Sequence, residues 1–394
     1  MQTILHISAD FPDALVSAKT RAVEALIAGV GEFRHVVYSL NRASWHGGVA
    51  ALPFGEDRVA LAYGAPPYGV GLAYHLRPVT EAILTDIRQR EIVPSLIHAH
   101  KFSVDGLVAS DVAERLGCPY IASLWGDTDI KIFEAKPRLR ERYRQIAQRA
   151  ALLLPAAPWT ASYFRDALSL EADRLQVLPV MTAADALLEP VVVGTPRFVT
   201  VLALDSWRRK GLDTLAQAIG QLAREMTAVT LDVYGRGSPK ALLEVRNMLH
   251  KSGAASHINL LGPLPHAAVQ KTMNGYTAFV MPTRRETYGM VHVEALFAGL
   301  PILWSRDRGI DGLVDGTKFG YRCDPTSVAD VFAGLRILAT QEQALKRELL
   351  AAQRDGTFDC LRRPAIAERY RSLLMQAMGQ RQAQPSASAA PGCR

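Results

Sequence analysis

Residues 280–305 read VMPTRRETYGMVHVEALFAGLPILWS, and this stretch decides the fold. Val280 and Met281 close a buried strand. Pro282 ends it, because proline has no N–H to give a ladder. Thr283, Arg284, Arg285 and Glu286 form a loop. A helix then runs from about Gly289 to Ala298, with Gly299 in the capping place, and Pro301–Trp304 is the next strand. The helix is apolar on nearly every face, through Met290, Val291, Val293, Ala295, Leu296, Phe297 and Ala298. Such a helix is buried, yet Glu294 sits in its middle. A buried carboxylate without partners costs several kcal/mol, roughly, so something must donate to it.

Glu286 lies just before the helix start, where unbonded N–H groups and the positive end of the dipole favour an anion. Arg284 and Arg285 strengthen that field. The stretch therefore offers an anion seat, a carboxylate beside it and a second carboxylate deeper in. A sugar nucleotide needs these features: phosphate on the helix end, hydroxyls on the carboxylates. Taken singly, Glu286 reads equally well as a capping residue and Glu294 as a core glutamate held by a cation.

Taken together, P-T-x-x-E-T-Y-G-M-V-x-V-E-A-L-x-A-G-L-P-I resembles the E-x7-E signature of glycosyltransferase family 4, retaining enzymes of the GT-B fold. The resemblance implies two doubly wound, Rossmann-like α/β domains facing a cleft. It makes residues 1–186 an acceptor-binding domain, 187–196 a linker and 197–362 a nucleotide-sugar-binding domain. A helix at 363–378 would cross back to the first domain, and 379–394, poor in apolar residues, reads as a disordered tail.

A chain of 394 residues, 49% hydrophobic and 21% charged, suits two globular domains. Lys and Arg total 45 against 38 Asp and Glu, a net +7. That surplus suits phosphorylated substrates or an anionic membrane surface. No basic cluster is interleaved with aromatics, which argues against nucleic acid. The four cysteines form no C-x-x-C pair, so neither a zinc site nor a disulfide framework is suggested. No apolar run reaches the ~18 residues of a membrane span, and the N-terminus reads as a first strand rather than a signal peptide. A cytoplasmic protein, peripheral to the inner membrane at most, is expected.

Along the chain, Thr3–Ser8, a helix over Ser17–Val30 and His35–Ser39 point to a parallel sheet. The loop ADFPDALVSAKTR lacks the family's usual Gly-Gly turn, leaving Lys19 or Arg21 to supply part of its role. Residues 45–76, rich in glycine and proline, read mostly as loop. Strands end at His98-Ala99-His100 and at Trp125-Gly126-Asp127, resembling the family's H-x-H and H-G-x-D segments, with Trp125 where a histidine is usual. Strand C-terminal ends bind ligands in open α/β sheets. His100 is thus a candidate donor contact or a core histidine. Trp125 is a sugar-stacking or packing residue, and Asp127 an acceptor contact or a cap. The basic run from Pro137 to Arg149, with Lys131 and Lys136, fits anionic lipid, a phosphorylated acceptor or a solvated face.

In the second domain, Arg208-Arg209-Lys210-Gly211 resembles the family's R-x(4,5)-K-G signature. Lys210 matches; Leu204 and Asp205 stand at the usual arginine positions, so Arg208 or Arg209 replaces that cation. Gly235 and Gly237 resemble the G-x-G-P segment beside the nucleotide. By resemblance, Glu294 accepts ribose hydroxyls, Glu286 contacts the donor sugar, and Lys210 with an arginine neutralises the diphosphate. Thr287, Tyr288 and the N–H groups of Gly289, Met290 and Val291 complete the donor site. The implied activity is retaining, metal-independent transfer from a UDP- or GDP-sugar to a glycan, lipid-linked or small-molecule acceptor, with no cofactor. A nucleotide-sugar epimerase and a non-catalytic relative are the alternatives.

Overall fold

The computed structural model describes residues 1–44, 48–314 and 316–383. It divides into two compact units. Unit 1 comprises Met1–Ala156, Thr160–Leu178 and the chain from Ile366; unit 2 comprises Ala157–Trp159 and Pro179–Ala365. Each is a Rossmann-like α/β unit.

Unit 1 is built on β1 (Thr3–Ser8), β2 (Arg34–Ala43), β3 (Val49–Pro53), β4 (Arg58–Gly64), β5 (Leu96–Ala99), β6 (Tyr120–Leu124) and β7 (Leu152–Pro155). Its helices are α1 (Ala22–Ala28), α2 (Leu72–Gln89), α3 (Asp105–Leu116), α4 (Gly126–Ala135), α5 (Arg140–Arg149) and α6 (Pro158–Leu168). The sheet runs β3-β4-β2-β1-β5-β6-β7. All its neighbours are parallel except β3 with β4. β1, β5 and β6 are buried along their whole length, as central strands covered on both faces must be.

Unit 2 continues with β8 (Arg197–Val201), α7 (Leu212–Glu225), β9 (Thr230–Tyr234), α8 (Pro239–Ser252), β10 (Ile258–Gly262), α9 (Val269–Asn274) and β11 (Ala278–Val280). Then come α10 (Met290–Phe297), β12 (Ile302–Ser305), β13 (Gly320–Cys323), α11 (Val328–Thr340) and α12 (Glu342–Arg354). Its sheet is wholly parallel, ordered β10-β9-β8-β11-β12-β13. A final helix, α13 (Arg363–Ala383), follows. No helix among the described residues is long and apolar enough to cross a membrane.

Both sheets reverse their winding at one point, between β1 and β5 in unit 1 and between β8 and β11 in unit 2. Ligands of open α/β sheets bind outside the strand ends at such points. The residues following these four strands are therefore where a site belongs.

Several expectations need correction. Residues 49–64 are a β-hairpin rather than loop; the tight turn between its strands holds Asp57 at φ 53°, where the Arg34 and Arg90 guanidiniums grip its carboxylate. The start of that stretch, 45–47, lies outside the described residues. The helix expected over Ser17–Val30 is only Ala22–Ala28. Helix α13 continues through Ala383, past the expected tail boundary, and 384–394 lie outside the described residues.

The chain leaves unit 1 after Leu178 rather than near 186, because the segment beyond is tied to unit 2. The Leu188 N–H donates to Phe297 O at 2.7 Å, and the N–H groups of Val193 and Gly194 donate to Glu342 at 2.9 and 3.0 Å. Glu342 is itself held by Lys346, whose Nζ donates to it at 2.8 Å, to Tyr276 O at 2.7 Å and to Val191 O. Lys346 is 2% exposed. Removing one partner of a buried pair leaves an unpaired charge, which costs about 3–5 kcal/mol. Lys346→Met is therefore expected to lower unit 2 stability by about that amount in urea unfolding, and Lys346→Met with Glu342→Leu to recover much of it.

Candidate active site

At the switch point of unit 2 the loop after β8 meets the loop after β11. Gly211 makes this possible. Its φ is +72°, and a Cβ there would lie 1.9 Å from the Pro282 carbonyl oxygen. Only glycine fits both the left-handed backbone and the contact. The loops are then joined by hydrogen bonds. The Arg284 N–H donates to Arg209 O at 2.9 Å, and its guanidinium to Thr214 Oγ1 at 2.6 Å and Arg208 O at 2.9 Å. The Thr283 hydroxyl donates to Arg209 O at 3.2 Å.

The consequence is an ion pair between Lys210 Nζ and the Glu286 carboxylate, their side chains 14% and 16% exposed. The Thr287 N–H lies 3.3 Å from Glu286 Oε1. Next comes Gly289 at φ +78°, the N-cap of α10, and no side chain caps that helix. The N–H groups of Met290 and Val291 therefore open onto the same corner. Beneath them His292 is buried, its ring edge-on to Phe279, and burial lowers it to about 4.

Glu294 lies deeper, 6% exposed. Its carboxyl is pushed up by burial, against the opposing pull of His266, whose Nε2 is 3.6 Å from Oε1, and of the Ala183 N–H. The reading that a buried Glu294 must find a donor is answered by these two groups. The sequence did not single out His266. Its signal was the unmet need of the carboxylate, with no spacing to say where the answer lay. Two partners leave a carboxylate with room to accept further hydroxyls.

Lys210, Glu286, Thr287, Gly289, Met290 and Val291 thus come together. Arg208 does not join them: it pairs with Glu244 on α8 at 2.8 Å, and its guanidinium stacks 4.1 Å from the Trp207 ring centroid. Arg209 is exposed, and no side-chain partner holds it among the described residues. Tyr288 points inward and is 2% exposed, a wall rather than a contact. Gly235 and Gly237 are demanded by packing. A Cβ would lie 1.7 Å from Leu202 O at the first and 2.7 Å from Leu204 Cβ at the second.

In unit 1, His100 follows β5 and is 2% exposed. Trp125 donates its indole N–H to His100 O, and its backbone N–H to Asp129 Oδ2 at 2.6 Å. Asp129 also accepts from the Ser103 N–H at 2.9 Å, so it ties β6 to the loop after β5. Asp127 sits half-buried in the first turn of α4. Lys19 is not available to a ligand, because its Nζ is bound to Asp13, Ser39 Oγ and Leu40 O at 2.8, 2.9 and 3.2 Å. Burial would raise the Asp13 carboxyl, but hydrogen bonds from Lys19, Ser39 and Asn41 outweigh it and hold it at about 2. His6, His98 and His100 bring ring nitrogens within 4.8 Å of one another, close enough to share a metal ion. The facing nitrogens of His6 and His100 are already hydrogen-bonded to each other at 2.9 Å.

Residues 195–341 match the family model described as Glycosyl transferases group 1. Glycogen synthase of Mycobacterium tuberculosis is 27% identical over 176 residues, 45% of this chain and 42% of that protein. The chain thus matches less than half the length of that relative. Sucrose-phosphate synthase from Thermosynechococcus elongatus shares the fold over 96% of this chain and 100% of its own, with a TM-score of 0.75 and 17% identity. HepE from Anabaena, solved in complex with UDP, covers 95% of this chain and 100% of its own, with a TM-score of 0.70 and 15% identity. The fold is GT-B.

The Glu294 carboxyl, raised in the folded state, contributes stability below its unfolded pKa that is lost as pH rises through the folded one. Glu294→Gln is therefore expected to melt higher than wild type at neutral pH, with the gap narrowing as pH falls toward the ordinary carboxylate range. Thermal melts across pH 4–8 check the sign. Gly211→Ala meets both a left-handed backbone, at roughly 1–2 kcal/mol, and the Pro282 oxygen. It is expected to lower the melting temperature of unit 2, where Gly253→Ala, with open space at its Cβ, lowers it less.

Proposed function

We propose that this protein is a nucleotide-sugar-dependent glycosyltransferase of family 4 type, retaining and metal-independent. The observation that carries the reading is the corner in unit 2. An ion-paired lysine and glutamate and an uncapped helix N-terminus stand together at the topological switch point, and the same helix carries the buried, under-bonded Glu294. The group 1 family match falls on the same residues.

In this reading the N–H groups of Met290 and Val291 hold the donor diphosphate on the helix end. Lys210, shared with Glu286, and the exposed Arg209 offset the charge that grows as the nucleoside diphosphate leaves. Arg209, rather than Arg208, takes the place of the usual arginine. Glu286 accepts hydroxyls of the donor sugar, and Glu294 accepts those of the ribose. HepE is solved with UDP, which favours a uridine or related nucleotide. The acceptor is a hydroxyl of a glycan or lipid-linked glycan. Unit 1 exposes Tyr68, Val70 and Tyr74 by 90, 62 and 68%, and Lys136 donates to Tyr68 O at 2.7 Å beside the exposed Lys131, Arg138 and Arg140. That mixture of aromatic and basic side chains supports a cytoplasmic enzyme working at an anionic membrane surface.

Ligand at ~100 times its dissociation constant adds roughly 2.7 kcal/mol. One of UDP, GDP and ADP is expected to raise the melting temperature, with the shift lost in Lys210→Ala and reduced in Arg209→Ala but kept in Arg208→Ala. Nucleotide release from the matching sugar donor should require an acceptor, with the anomeric configuration kept in the product by NMR. Release without an acceptor, or no shift with any nucleotide, sinks the reading.

A further inference from the structure

Among the described residues, the side chain that acts on Glu294 comes from outside the strand-loop-helix motif. α9 is tied beside α10 and to the segment beyond Leu178. Asn274 Nδ2 donates to Ala298 O at 2.8 Å and to Glu189 O at 2.9 Å, Gln270 Nε2 donates to Ala186 O at 3.3 Å, and Val269 and Met273 are buried. Just ahead of α9 lies a 3-10 turn, His266–Ala268, closed by the Ala268 N–H on Pro265 O at 2.9 Å. Pro263 and Pro265 fix the backbone on either side of Leu264. The loop start is held by the Gly235 N–H, which donates to Gly262 O at 2.7 Å. His266 and the Ala183 N–H are thereby brought to one carboxylate, and all of these residues belong to unit 2.

The two members of the pair are unequal. His266 Nε2 is 3.6 Å from Glu294 Oε1, but the His266 side chain is 65% exposed and that of Glu294 8%. So open a partner adds little to stability. Burial raises the Glu294 carboxyl, and His266 and the Ala183 N–H oppose it. The other charged groups nearby are engaged elsewhere. Lys271 on α9 is exposed, and β12 carries none. Asp185 accepts from the Arg363 N–H at 3.0 Å, and Glu189 faces Arg354 at 3.5 Å. On α10 itself, His292 stands edge-on to Phe279. None of these acts on the Glu294 carboxyl. What His266 contributes is therefore the ionisation state of Glu294 rather than stability.

We propose that His266 is a positioning residue of the nucleotide site: from the solvent edge it keeps Glu294 an ionised acceptor for ribose hydroxyls, so that nucleotide binding persists at an acidity where Glu294 alone would lose it. The role rests on the glycosyltransferase reading, in which Glu294 takes the ribose. The two groups titrate as a pair. A proton on the carboxyl removes its charge and fills an acceptor site, and an imidazole N–H beside it opposes that step. A ribose diol acts in the same direction, because hydroxyls donate most strongly to the ionised form. Binding and ionisation thus support each other, and His266 sets where in pH the two begin to fail.

Two measurements on the full-length protein test this. The first needs no ligand. With glutamate labelled by 13C at the side-chain carboxyl, the resonance missing from Glu294→Gln identifies Glu294. Its titration midpoint is expected to move to higher pH in His266→Gln and to return toward wild type in His266→Lys. The second is the dissociation constant of UDP, GDP and ADP, compared between variants at the same pH so that the phosphate's own titration cancels. For the nucleotide that binds, His266→Gln is expected to weaken binding roughly tenfold at about pH 5 and less than about twofold near pH 8, and His266→Lys to restore it. In a Glu294→Gln background, His266→Gln should change nothing further. An unmoved Glu294 midpoint overturns the proposal. So does a loss that persists in the Glu294→Gln background, since His266 then touches the nucleotide itself. A loss equal at both pH values also overturns it, being the mark of a disturbed loop rather than a protonated carboxyl. A midpoint that moves as expected in a protein that binds none of the three nucleotides is instead a failure of the glycosyltransferase reading, which the first measurement keeps separate.

Discussion

The approach of Gly211 to the Pro282 carbonyl is the constraint on which unit 2's chemistry depends. With a Cβ 1.9 Å from that oxygen, no other residue permits the two loops to touch. Once they touch, Lys210 has Glu286 within reach, and Arg284 can reach across to Thr214 on α7. Two loops that follow neighbouring strands, with Lys210 and Glu286 76 residues apart in the chain, become one surface. A lysine and glutamate this far buried must be held in good geometry to offset the hydration they lose. Held by the backbone contact, the pair is preorganised, and its entropic cost is met by the fold rather than by a ligand.

The molecule buries several other charged groups, and they differ in how fully they are met; Asp105, with the Ala9 N–H as its hydrogen-bond donor, is pushed up by burial as Glu294 is. Asp129 accepts from Trp125 and Ser103. Lys346 donates to two carbonyls and Glu342. Asp13 is met by Lys19, Ser39 and Asn41. In each, the charge is answered and the group serves to tie segments together. Among the described residues Glu294 has His266 at 3.6 Å and one backbone N–H. A carboxylate kept buried at that level of satisfaction destabilises the unit.

The part of this architecture legible in the sequence is the part set by short-range constraints. Glu286, Gly289, Glu294 and Gly299 lie within one strand-loop-helix unit, where a capping glycine, a helix start and a misplaced carboxylate each have a local meaning. Arg208 and Arg209 are adjacent and chemically alike, and only Glu244, on a helix thirty-six residues away, separates their roles. The β3–β4 hairpin hid behind its glycines and prolines, since the composition of 45–76 outweighed the alternation in Arg58–Gly64. The hydrogen-bonded row of His100, His6 and His35 in unit 1 was invisible for a different reason. His100 stood out only through its H-x-H segment, His6 and His35 are unremarkable one at a time, and parallel pairing, which places Thr3 through Ser8 beside Arg34 through Ser39, brings them into a row.

The two switch points share a topology but differ in chemistry. In unit 2 the loops present Lys210, Arg209 and open helix N–H groups, the equipment of an anion site. In unit 1 the cations near the corresponding corner are already spent: Lys19 on Asp13, and Lys101 on Asp10 at 2.7 Å. The loop after β1 has no glycine to bring N–H groups against a phosphate, and what remains is neutral imidazole and indole. A diphosphate would find little there to offset its charge. The contrast between the two corners follows from which cations the fold has tied to carboxylates.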